Sequence, residues 1–187
     1  MQKKSIKIKR IIKNSFLYYV ARLAKGLIRA KTHKAGHRLT NWQSIKTTMT
    51  PLLTAEEYKS LMSSRLKEYL KRLNILVTKT KEMGAIPVFI TQRRMSYWMD
   101  DEHIVGIASE SKYDDVKYNG VDMYYMNKLL NNTTMSICNN VDNVICIDLE
   151  SELNFDHKDF YDYTHNTPSG ASKIGKYLAS KVQTFYQ

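Results

Sequence analysis

The chain has 187 residues, 43% hydrophobic and 25% charged, which suits one ordinary domain with a core and excludes a disordered or low-complexity protein. Its formal net charge is +11, and the excess lies in residues 1–55, which hold 13 Lys plus Arg and no Asp or Glu, against 16 basic and 18 acidic residues in the remainder. The only two cysteines, Cys138 and Cys146, exclude a disulfide framework and a Cys/His zinc cluster; Cys146 sits in the apolar run VICIDL, where both are expected to act as small buried hydrophobes.

From the N-terminus, residues 11–30 carry an apolar stripe at steps of three and four (Ile12, Phe16, Tyr19, Leu23, Leu27), which predicts a helix, with Lys13, Arg22, Lys25 and Arg29 on its other faces. The apolar patch FLYYVA is too short for a signal peptide and is followed by Arg22 without a small-residue cleavage site. No run approaches the ~20 apolar residues that span a membrane. The chain therefore reads as soluble, with the cytoplasm as its default compartment. Residues 31–51 lack periodicity and are expected to be irregular.

A second helix opens at Thr54, with Glu57 three residues on as a capping box, continues through Leu61, Leu66, Leu70, Leu73, Val77 and Thr80, and ends at Gly84. The run AIPVFITQ (85–92) follows, β-branched and without alternation, which predicts a strand buried on both faces of a parallel sheet. Residues 93–120 are expected to form a long loop. Residues 121–140 predict a helix, VDNVICIDLES a second buried strand, and residues 167–186 a last helix with Thr167 as N-cap and Pro168 in its first turn. Strand, helix, strand in this order implies an α/β class with a parallel crossover. The expected organisation is one α/β domain over 1–187, with a basic helical segment at 1–50 and a strand–helix–strand–helix portion at 51–187. Two strands make a poor parallel core, so either strands hide in the first fifty residues or others belong beside these.

The chemistry-bearing stretch is FYDYTHNTPSGASKIGKYLAS, where Asp162 precedes His165 by three residues, just before the last helix. An imidazole moves protons near neutral pH, and a carboxylate on one ring nitrogen fixes its tautomer. A loop after the last strand lies at the carboxyl end of the sheet, where open α/β proteins keep ligands. The pair alone also suits a merely solvated loop. Its surroundings, however, resemble the last block of the SGNH, or GDSL, hydrolase family: Asp162 and His165 match the Asp-x-x-His pair, Gly170 matches the glycine after it, and an apolar helix follows. GAIPVFITQ and NVICIDL are similar to the strands that precede that block. The resemblance runs from Thr54 to the C-terminus.

The resemblance implies a three-layer, flavodoxin-like SGNH fold, represented here by the later strands and helices of its parallel sheet. It also implies hydrolysis of an acyl or O-acetyl ester, with His165 as general base for a serine and Asp162 orienting it. No metal or organic cofactor is implied, and the substrate would be a small-molecule ester. The family's Gly-Asp-Ser block is missing: Gly26, Gly36, Gly84, Gly106 and Gly120 precede no Asp-Ser or Asn-Ser pair. The Gly-x-Asn-Asp block that supplies oxyanion donors is missing too. The chain is accordingly expected to be the C-terminal part of such a domain, with little esterase activity alone, and its open sheet to need a partner chain or a preceding segment.

Several other residues invite a role. Arg93 and Arg94 follow the first strand and are expected near the site, where they would bind an anionic group on the substrate. Ser15, Ser44, Ser64 and Ser96 lack a nucleophile elbow. Tyr97 and Trp98 would pack locally or wall an acyl pocket. Asp100, Asp101 and His103 read as surface charge, and His157 and Asp159 as loop surface. The basic segment 1–55 supports a rival reading, a non-catalytic protein that binds an anionic membrane or nucleic acid, although no specific nucleic-acid motif accompanies the charge.

Overall fold

The computed structural model describes residues 18–25 and 39–185. The chain divides into two units, Met1–Arg38 and Leu39–Gln187. In the first unit, residues 18–25 are helical, with Tyr19, Val20 and Leu23 exposed; the rest of the helix expected over 11–30 lies outside the described residues, as does Ser15.

The second unit mixes helix and strand, an α/β class in the general sense. A single 3-10 turn at Trp42–Ser44 leads into β1 (Thr47–Thr48). Helix α1 (Ala55–Glu82) begins as its sequence dictates: the Thr54 hydroxyl accepts the Glu57 N–H at 3.3 Å, and the Glu57 carboxylate accepts the Thr54 N–H at 2.8 Å. Strand β2 (Val88–Ile90) pairs in parallel with β7 (Ile145–Ile147), Phe89 opposite Cys146. Helix α2 (Gly120–Asn140) lies between them in sequence and packs against α1. Leu73 and Val77 of α1 meet Ile137 of α2 in the core, with Tyr69, Phe89, Val141 and Val144 around them. The one-turn α3 (Leu149–Glu152) follows β7, and α4 (Pro168–Gln183) closes the unit behind its Thr167 cap.

Three expectations are corrected. Residues 93–120 are not a long loop: β3 (Tyr97–Asp100) and β4 (His103–Ile107) form an antiparallel hairpin that β1 extends to three strands, and β5 (Ser111–Tyr113) pairs with β6 (Val116–Tyr118). The first parallel strand is not buried on both faces: Val88 and Ile90 remain 43% and 37% exposed, whereas Ile145 and Ile147 of β7 are buried. Among the described residues β2 has a strand on one side only, so it is an edge. Leu70, expected in the buried stripe of α1, is likewise exposed. The cysteines are not separate buried thiols: Cys138 near the end of α2 and Cys146 in β7 are joined as a disulfide, because the register of β7 brings Cys146 onto the α2 side of the sheet. Among the described residues no helix is long and apolar enough to cross a membrane.

A buried polar network fixes the segment that leaves β2. The Glu150 carboxylate accepts the Tyr97 hydroxyl at 2.6 Å and the Asn131 amide at 2.7 Å. Asn127 and Asn131 both donate to the Gln92 carbonyl, and Asn131 accepts the Gln92 N–H. Burial, then the Glu150 charge, pushes the Tyr97 phenol far above its ordinary range. Tyr97 therefore serves the core as a neutral donor rather than a pocket wall.

Candidate active site

The Asp-x-x-His stretch folds as a closed loop. Phe160 bridges Asn166 in antiparallel fashion, Tyr161 donates its N–H to the His165 carbonyl at 2.8 Å, and Thr167 donates to the Asp159 carbonyl at 2.9 Å. Phe160, 1% exposed, anchors the base of the loop in the core. Neighbouring backbone holds both flanks: Thr40 donates to the Tyr161 carbonyl at 2.8 Å, and Met95 donates to the Tyr163 carbonyl at 2.9 Å. The loop thus sits against the segment that leaves the carboxyl end of β2.

At its tip, Nδ1 of His165 lies 2.8 Å from Oδ2 and 3.0 Å from Oδ1 of Asp162. The same carboxylate accepts the backbone N–H groups of Thr164 and His165, each at 2.8 Å. Burial pushes the Asp162 carboxyl up, but the His165 backbone and ring and the Thr164 N–H together outweigh it and hold the group at about 2. An ionised carboxylate only accepts hydrogen bonds, so Nδ1 carries the proton and Nε2 keeps the basic lone pair. The imidazole is more than half exposed and the carboxylate about one-third. Chemically, an imidazole held in this way turns its second nitrogen, Nε2, away from the carboxylate, an arrangement suited to proton transfer.

The two arginines part company. Arg93 turns into the network, 3.7 Å from the Glu150 carboxylate and donating to the Tyr97 carbonyl at 3.1 Å, with its guanidinium over the Tyr97 ring. Arg94 turns to the Asp-x-x-His loop and donates to the Thr164 hydroxyl at 3.2 Å. Of the serines, Ser44 bonds to the Asn41 carbonyl, Ser64 is exposed on α1, and the Ser96 hydroxyl is buried with no hydrogen-bond partner, hence not bonded to the imidazole.

His157 and Asp159 are not loop surface. The His157 ring stacks on Trp42 at 4.8 Å and meets the edge of Trp98 at 4.9 Å, and burial depresses its pKa. Trp98 accordingly packs locally. Asp159, 5% exposed, accepts the Lys173 ammonium at 2.8 Å and the Asp156 N–H at 3.0 Å, tying α4 to the base of the loop. Asp100 faces His103 across the β3–β4 turn, and among the described residues no group of three or more His, Cys, Asp and Glu is placed to hold a metal ion.

What the sequence reading passed over is the support: Met95 and Thr40, which hold the loop through backbone groups that no side-chain pattern announces, and Asp159. For Asp159 a signal existed, since Asp156 and Asp159 three apart form a capping box around the 3-10 turn His157–Asp159. Comparison with family models, with curated proteins and with solved structures gives no match to this chain.

Proposed function

We propose that the chain carries the base half of an SGNH-type ester hydrolase, with His165 as general base and Asp162 as the group that orients it, acting on an acyl or O-acetyl ester within a flavodoxin-like α/β fold. The observation that supports this reading most is the 2.8 Å approach of Asp162 Oδ2 to Nδ1, in a loop whose own N–H groups keep the carboxylate ionised. In an ester hydrolase of this type the histidine takes the nucleophile's proton and returns it to the leaving alcohol, while the aspartate stays ionised. No serine nucleophile is identified among the described residues, so turnover by this chain is expected to be slow.

The test is hydrolysis of p-nitrophenyl acetate by the purified chain and by His165→Ala and Asp162→Asn. Any rate above buffer should fall to the buffer rate in His165→Ala and by about tenfold or more in Asp162→Asn. A rate above buffer that is equal in all three would remove the proposal. The acid-free segment 1–55 favours a second reading, a basic protein that binds anionic membrane or nucleic acid. Salt-dependent binding to anionic vesicles or oligonucleotides, unchanged by both substitutions, would support it instead.

A further inference from the structure

Beside the Asp-x-x-His loop lies a cavity of about 100 Å³, walled by Arg94, Ser96, Ser109, Ser111, Gly120 and Tyr163 among others. Among the described residues its lining includes no carboxylate. Two residues of that lining each hold a buried polar atom without a hydrogen-bond partner among the described residues, the Arg94 Nε–H and the Ser96 hydroxyl. An unpaired buried polar group is costly, more so when charged, so such atoms mark either stored strain or a place for a ligand. Arg94 spends one Nη2 proton on Thr164 and makes no ion pair among the described residues, whereas neighbouring Arg93 has Glu150. The two adjacent arginines therefore differ in kind: one is neutralised within the fold and one is not.

The cavity is also small for a reason. β4 and the start of α2 touch backbone to backbone: a Cβ on Gly120 would stand 2.2 Å from the Ser96 carbonyl oxygen and from the Ile107 nitrogen. That contact closes one wall and leaves room for about three waters, at ~30 Å³ each, or for one small oxyanion. A guanidinium with a spare N–H, a donating hydroxyl and no competing acid suit a carboxylate or phosphate oxygen.

We propose that this cavity binds the oxyanion end of the substrate, so that the preferred ester is one carrying a carboxylate or phosphate a few bonds from the acyl carbon. This specificity rests on the hydrolase reading above; the anion site itself does not. Arg94 is a binding residue here. It pairs with the anion, while the Thr164 hydroxyl it also touches belongs to the residue before His165.

Binding is measured without turnover, by the NMR signal of the Arg94 Nε–H in the full chain titrated with monomethyl succinate, with its neutral counterpart methyl butyrate, and with inorganic phosphate. Monomethyl succinate should move that signal saturably, methyl butyrate should not, and His165→Ala should bind as the parent does. Arg94→Gln should weaken monomethyl succinate by about tenfold or more, followed through the Tyr163 and Gly120 amides. Ser96→Ala, a gentler change, should weaken it less, which keeps the test open should Arg94→Gln fail to fold. An Arg94 signal unmoved by any of the three overturns the site. Saturable binding of phosphate without monomethyl succinate overturns the substrate assignment. Monoester binding alongside ester turnover that ignores His165→Ala upholds the anion site and removes the hydrolase reading.

Discussion

The carboxylate of Asp162 reaches both the ring and the backbone of His165, at 2.8 Å in each case, so one acid fixes where the imidazole sits and which of its nitrogens is protonated. Because the folded-state pKa of Asp162 is lowered from 3.8 to about 2, this acid stabilises the fold above the unfolded value, and the contribution fades as pH falls through the folded one. Asp162→Asn should therefore be less stable than the parent at pH 6, and the gap should close between pH 4 and pH 2. Urea unfolding midpoints of the two proteins across that range measure it. A gap that is constant with pH would mean that the carboxylate charge is not what the loop uses.

A second acid secures a different junction of the fold. Asp122, fully buried, accepts the N–H groups of Leu52 at 3.0 Å, Leu53 at 2.9 Å and Asn119 at 2.8 Å, pinning the entry to α1 against the start of α2. Asp122→Ala leaves three backbone donors without their acceptor and should cost about 3 kcal/mol. The exposed Asp142→Ala, just beyond the C-terminal end of α2, should stay within about 0.5 kcal/mol. Chemical denaturation of both variants checks the pair.

These two acids also show where the sequence was readable. Asp162 and His165 were found because their chemistry is local, three residues apart in a loop that its own hydrogen bonds close. Thr54 with Glu57, and Thr167 with Pro168, marked helix starts for the same reason. Asp122 was missed because two of its three partners, Leu52 and Leu53, lie about 70 residues away in the chain, although its capping box with Asn119 was a local signal. The hairpins were missed because their strands are short and broken by Gly106 and by charges. Yet a turn signal was there: Asp114 and Asp115 both take positive φ, 46° and 63°, as a tight two-residue hairpin turn requires, and the mirrored residues Tyr113 and Val116 flank them. The exposure of β2 was illegible because a run of apolar residues does not say how many neighbours its strand will have. The Cys138–Cys146 bond depended on the register of β7 against α2, which no spacing encodes.

Glycines separate close approach from simple propensity. A methyl on Gly106 would stand 2.2 Å from the Val121 nitrogen, where rigid backbone cannot yield, while one on Gly175 in α4 meets nothing within 4 Å. Gly106→Ala should cost about 3 kcal/mol through forced separation of β4 from α2. Gly175→Ala should stabilise by about 0.5–1 kcal/mol, since alanine loses less backbone freedom in a helix. Thermal melts of the two variants should move in opposite directions. A shift of the same sign would mean that the contact between β4 and the start of α2 is looser than the backbone positions imply.

The disulfide gives the last test. Cys138 and Cys146 are eight residues apart, so their bond closes a short loop around the turn from α2 into β7. Chain-entropy arguments assign a loop of that size about 2.5 kcal/mol. The bond also joins the two elements that hold Ile137 and Ile147 in the core, so its loss should be felt by the parallel pair before it reaches the Asp-x-x-His loop. Thiol titration of the denatured, unreduced chain should find no free thiol, and two after reduction. Reduction should lower the melting temperature, and Cys138→Ser with Cys146→Ser should match the reduced parent. The backbone N–H of His165, which is held by Asp162 rather than by the sheet, should keep its resonance position. Two free thiols without reduction, or an unchanged melting temperature after it, would show that the bond does not hold α2 to β7.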